Sequence, residues 1–204
     1  MTGGLVTRSL LLDDISIRAD GTGRTVLGYC AVWDTPALID DRDGRYIETL
    51  DPHSFDKTIR ERAGQISVFY SHGKTLHGTP SERFSLPIGV PEEIRPDGRG
   101  LYTATRFTRG SALADEVLAG VSEGAIKGMS FGGRFTRSDR TRGRGGELDH
   151  IRRQEVHLRE YSFTVSPAYP EAQISGVRGT GSGPFPNPSP SERRRRLLDL
   201  MRAQ

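Results

Sequence analysis

Ile126-Lys-Gly-Met-Ser-Phe-Gly-Gly-Arg-Phe135 decides the fold class, through the residues downstream of its serine. By count, Gly128-Met-Ser-Phe-Gly132 satisfies the Gly-x-Ser-x-Gly spacing of a nucleophile elbow. An elbow, however, needs a helix directly after the serine. Gly133-Arg-Phe135 reads instead as a strand that continues, interrupted by glycines. A serine inside a continuing strand speaks against the elbow, and the nearest helix lies upstream. Ser111 can cap a helix running to about Val121, where Leu113, Val117, Leu118 and Val121 recur on one face and Gly124 stops it.

Outward from this stretch the chain is rich in short strands. Two are expected within residues 5 to 34, around the turn chemistry of Asp20-Gly-Thr-Gly23. A loop through Asp40 to Gly44 leads to a strand at Arg45 to Thr49, and Asp51-Pro-His-Ser-Phe55 offers a helix start capped by Asp51 or Ser54. Gln65 to Tyr70, Phe84 to Val90, Gly100 to Phe107 and Glu155 to Val165 read as further strands. Residues 136 to 150 are basic and glycine-rich, and are expected to be mobile. With 25 glycines and 12 prolines in 204 residues, a helical bundle is excluded. Residues 176 to 190 form a Gly/Pro/Ser linker, and residues 191 to 204 a basic amphipathic helix, which leaves a domain over 1 to 175.

The single cysteine, Cys30, excludes an internal disulfide, fits a reducing cytosol, and sits in an apolar run as a buried structural thiol. No signal peptide or membrane-length apolar run is expected. A net charge of +3 points to no partner class, and the basic stretches Arg137 to Arg153 and Arg193 to Arg196 lack interleaved aromatics, so nucleic-acid binding is the weakest reading. His53, His72 and His77 show no zinc spacing, and neither a metal nor a cofactor is implied.

Two residues carry the proposed chemistry. His72 ends the strand at Ser71-His72-Gly73 and can serve as a general base near neutral pH. Ser130 can serve as a nucleophile held at an open position, with glycines that allow backbone amides to approach an oxyanion. Glu160 or His157 could orient the imidazole. Three apart in a strand, they face opposite sides of the sheet, so at most one can do so.

Taken in order, these segments resemble the tailed-phage prohead (procapsid) maturation protease family, related in architecture to the herpesvirus assemblins. The resemblance rests on Gly28-Tyr-Cys-Ala-Val-Trp33, Arg45-Tyr-Ile-Glu48, Asp51-Pro-His-Ser-Phe-Asp56, Tyr70-Ser-His-Gly73, Gly128-Met-Ser-Phe-Gly132, Leu158-Arg-Glu-Tyr-Ser162 and Ser166-Pro-Ala-Tyr-Pro170. Trp33, His53-Ser54, Gly73 and Gly133 depart from the family's usual residues. The resemblance implies a mainly β fold with flanking helices (α+β), a partly closed antiparallel β-barrel of assemblin type. It implies a serine endopeptidase with Ser130 as nucleophile, His72 as base and Glu160 as third member, with His157 as the alternative because assemblins use a second histidine. Gly132 or Gly133 would supply the oxyanion amides. Substrates would be scaffold and capsid-protein N-terminal segments, and the protease itself, inside the assembling procapsid in the host cytoplasm. The assemblin likeness also leaves a homodimer open. The competing reading is a non-catalytic scaffold or capsid-binding module on the same fold.

Overall fold

The structure is a computed structural model, which describes residues 6–11, 15–18, 23–41, 43–75 and 77–165. The linker, the terminal helix, Asp20-Gly-Thr22 and Ser166 to Pro170 lie outside the described residues. Among the described residues the strands are β1 (Val6–Leu11), β2 (Ser16–Ile17), β3 (Thr25–Val32), β4 (Ala37–Asp41), β5 (Gly44–Leu50), β6 (Ser67–Tyr70), β7 (Gly89–Pro96), β8 (Gly100–Phe107), β9 (Gly128–Thr141) and β10 (Asp149–Thr164). The helices are α1 (Asp56–Arg62) and α2 (Ala112–Ser122).

All ten strands join one curled, mainly antiparallel sheet in the order β1-β9-β10-β6-β7-β8-β3-β2. Beside this path, β5 pairs with both β4 and β10. Two parallel partners share one edge of β10. β5 pairs with Asp149 to Arg153, and β6 pairs with Glu160 to Phe163. α1 packs against β10, where Thr58 Oγ1 donates to the Val156 carbonyl at 2.7 Å.

Alternation decides what enters the core. On β9, Met129 and Phe131 point inward and are essentially unexposed, opposite the equally buried Phe163 and Tyr161 of β10. Ser130 and Gly132 therefore face the other side. β10 changes phase partway along. Val156 and Leu158 belong to the core before a bulge, and Tyr161 and Phe163 after it. The register skips Arg159, pairing Leu158 with Gly133 and Glu160 with Gly132. One extra residue thus turns Glu160 onto the Ser130 face, together with Ser162. An unbroken alternation would have continued 156, 158, 160 into the core.

The helix cap at Ser111 forms as its sequence suggests, with its side chain accepting from the Ala114 amide. Cys30 is fully buried, and burial pushes its thiol pKa upward. Three expectations are corrected. The first helix begins at Asp56, with no side-chain cap from Asp51 or Ser54. The Ser54 carbonyl accepts from Val156 N–H at 2.7 Å instead, so pairing with β10 overrides the local cap signal. The aspartate-rich loop contains part of strand β4, paired with β5 through Asp41↔Gly44. Residues 136 to 141 and 149 to 150 are strand rather than loose chain, because β9 and β10 extend as a long hairpin carrying the Arg140–Asp149 ion pair at 2.7 Å.

Candidate active site

His72 owes its position to an unusual turn. Directly after β6, Ser71, His72 and Gly73 all have positive φ, at 48°, 58° and 68°. Left-handed backbone at non-glycine residues costs about 1–3 kcal/mol each, so the surroundings must hold it in place. They do so through Ser162, whose hydroxyl oxygen accepts the His72 amide at 3.1 Å. The same Ser162 hydroxyl donates to Glu160 Oε2 at 2.7 Å. The other carboxylate oxygen, Oε1, lies 2.7 Å from His72 Nδ1.

These contacts join a candidate base, its carboxylate and a hydroxyl that clamps both. Glu160 is 8% exposed and Ser162 fully buried, so water does not compete for the pairs. With Nδ1–H donating to the carboxylate, Nε2 is left as the proton acceptor. That Nε2 is buried and has no hydrogen-bond partner among the described residues.

Ser130 stands directly across from Ser162 in the β9–β10 register, on the same face. Opposed side chains in such a pair are about 4.5–5.5 Å apart at Cβ. The sheet thus brings Ser130, Ser162, Glu160 and His72 to one place. The expectation of an open serine is corrected, however. Ser130 is 0% exposed, and its hydroxyl donates to the Arg8 carbonyl of β1 at 2.7 Å rather than to His72.

Of the two candidates for the third member, only Glu160 meets the imidazole. His157 Nε2 accepts from Arg62 Nη1 at 3.0 Å and lines a cleft of about 220 Å³ against α1. The expectation that these two residues face opposite sides of the sheet is corrected: the bulge puts both on one face, and position along the strand separates them, His157 across from Arg134 and Glu160 across from Gly132.

Both glycines after the serine are explained by close approach. A methyl group on Gly132 would overlap Oε1 of Glu160, so the carboxylate occupies the volume that a side chain would fill. At Gly133, an added Cβ would lie 2.6 Å from the His157 carbonyl oxygen. Their amides belong to a strand flanked by β1 and β10, and successive amides of a strand point to opposite edges.

On the core side of the same strands lies a second polar cluster that no spacing in the sequence announces. Arg8 Nε and Nη2 donate to Glu48 Oε1 and Oε2 at 2.6 and 3.1 Å, and Arg153 Nε donates to Oε2 at 2.7 Å. Tyr46 accepts from both arginines at 3.2 and 3.1 Å and donates to Asp41 at 2.8 Å. Burial and the Asp41 hydrogen bond push the Tyr46 pKa up to about 12. Tyr46 and Glu48 fall in the Arg45-Tyr-Ile-Glu48 motif, whereas Arg8 and Asp41 carry no local signal of their role.

Comparison with known proteins adds the family. One relative is the prohead protease of Enterobacteria phage HK97, 25% identical over 175 residues, covering 85% of this chain and 69% of that protein. Among solved structures, the capsid assembly protease of bacteriophage T4 matches with a TM-score of 0.50 at 12% identity, over 82% of this chain and all of the other. That likeness is one of fold. No helix among the described residues is long and apolar enough to cross a membrane. The family model described as caudovirus prohead serine protease matches residues 13–182, and the chain belongs to that family.

Proposed function

We propose that this maturation protease acts as a serine endopeptidase in which Ser130 Oγ attacks the peptide carbonyl carbon and His72 Nε2 receives the serine proton. The amine then leaves carrying that proton, and water hydrolyses the acyl-serine by the reverse transfer. Glu160 holds the imidazole in the tautomer that this requires, and stabilises the imidazolium once it forms. Ser162 is a positioning residue, since it touches the base and the carboxylate without a part in the bond changes. The amide of Gly132 or Gly133 that faces the β1 edge is the oxyanion donor. The observation that carries the reading is the 2.7 Å His72–Glu160 pair built on the strand next to Ser130.

The substrates proposed are N-terminal segments of scaffold and capsid protein, together with the chain's own tail after residue 175. The relatives' names as prohead and capsid assembly proteases support this substrate class. The experiment is coexpression of the Ser130→Ala chain with capsid protein. Shells should assemble while precursor stays uncut, and processing that survives the substitution would reject Ser130 as nucleophile.

A further inference from the structure

We propose that the β1-facing edge of β9 binds an extended peptide substrate with arginine or lysine immediately before the scissile bond, and that the chain's own Val6–Leu11 segment occupies this site as a stand-in. The inference rests on Ser130 being the nucleophile. It adds where the substrate lies and which side chain is recognised.

The backbone places the segment. β1 ends the sheet, and its ladder runs from Val6↔Gly133 to Leu11↔Gly128, centred on the nucleophile. The carbonyl that receives the Ser130 hydroxyl belongs to Arg8, at 2.7 Å. In a bound substrate that carbonyl belongs to the residue before the cleaved bond, so Arg8–Ser9 occupies the place of a scissile pair. Pairing of this kind uses main-chain groups that an extended peptide also offers, while side-chain pockets select which peptide binds.

The arrangement is occluded rather than reactive. The serine hydrogen points at the carbonyl oxygen, while attack requires it to move towards His72 Nε2, which has no partner among the described residues. A substrate must therefore displace β1 to reach Ser130.

Specificity comes from the Arg8 side chain. Its guanidinium makes a forked pair with buried Glu48, reaches Tyr46, and lies 3.6 Å from Asp41 and 5.4 Å from the centre of the Phe135 ring. With Arg8 withdrawn, two carboxylates, Glu48 and Asp41, face one remaining guanidinium, that of Arg153. A pocket with that balance takes a cation. The fork favours arginine over lysine, which offers a single ammonium.

The test uses full-length protein, the Arg8→Ala variant and a variant lacking residues 1–11, with fluorogenic peptides that differ only in the residue before the cleaved bond. Removal of the segment should raise kcat/KM about tenfold or more, since a competitor held in place acts at high effective concentration. Arginine should exceed leucine or glutamate at that position by about 100-fold, as expected for a desolvated charge pair. A labelled peptide of sequence Gly4-Leu-Val-Thr-Arg-Ser-Leu-Leu-Leu12 should bind saturably in fluorescence anisotropy, which needs no turnover, and alanine in place of its arginine should abolish binding. Should the deletion unfold by circular dichroism, Arg8→Ala serves for both measurements. Equal cleavage of leucine and arginine peptides, or no saturable binding to a folded variant, overturns the proposal. Cleavage that persists in Ser130→Ala sinks the functional reading instead, whereas Ser130-dependent cleavage without a basic preference sinks only this inference.

Discussion

Two buried polar networks flank β9, and they are built to different ends. The Arg8–Glu48–Arg153–Tyr46–Asp41 cluster has hydrogen bonds at each carboxylate and ring hydroxyl, and Phe135 packs under both arginines at 5.4 and 4.1 Å. The His72–Glu160–Ser162 cluster carries two consecutive non-glycine residues at positive φ and one buried ring nitrogen without a partner among the described residues. Satisfied charge holds strands together, whereas strain and an unused acceptor mark a place prepared for a reaction. One β-strand supports both because its alternate residues face opposite sides.

The contrast can be broken most severely at Glu160. Glu160→Gln should lower kcat by about 10⁴-fold, because the amide can hold the wrong imidazole tautomer, while the melting temperature changes little. Peptide hydrolysis beside a thermal melt checks both halves. Glu48→Ala should act first on stability. Two buried guanidinium groups lose their shared counterion, at a cost of about 3–5 kcal/mol in urea unfolding. Gly132→Ala should fall between these, with about 1–3 kcal/mol of overpacking and a loss of kcat as the Glu160 carboxylate is pushed off His72. Ser162→Ala should lower kcat roughly tenfold at unchanged KM, in keeping with the loss of two hydrogen bonds, one to the His72 backbone and one to the Glu160 carboxylate, each worth about 0.5–1.5 kcal/mol.

The smallest effect is one of pH. Burial, with Arg152 nearby, lowers the pKa of His150, whose Nε2 lies 2.9 Å from Thr49 Oγ1. The unfolded chain then binds the proton more readily than the folded one, so stability is highest above the ordinary histidine pKa of ~6.5 and declines as pH falls below it. His150→Gln should flatten that decline in melting curves taken between about pH 7 and pH 5.

Much of the site is legible in residues close together in sequence. Period-two patterning marks the strands that hold Ser130 and Glu160, and the Ser111 cap needs only its own helix. Convergence of His72, Ser130 and Glu160 comes from family likeness, since no local pattern records contacts across 88 residues. The hidden features are long-range or one residue deep. The pairing of Arg8 with Glu48 spans 40 residues and leaves no periodic trace. The bulge at Arg159 shifts the strand's phase by one, which no alternation rule foresees from Leu158-Arg-Glu-Tyr-Ser162 itself. Ser162 is within reach of a sequence argument, two positions after Glu160 on one face, although its role depends on the His72 turn. Residues 136 to 150 read as mobile because a basic, glycine-rich composition gives no sign of the cross-strand partners that hold the hairpin, such as Asp149 beside Arg140.

β10 also governs the order of events during synthesis. It is the only described strand bonded to β5, β6 and β9 together, and it spans residues 149 to 164. A ribosome that has released only the first 148 residues has made the serine and the histidine but neither the carboxylate nor the strand that aligns them. Closure depends on contacts far apart in the chain, which slows folding. On the proposed mechanism, catalytic competence therefore arrives late, and a polypeptide truncated before residue 149 is expected to show no peptidase activity.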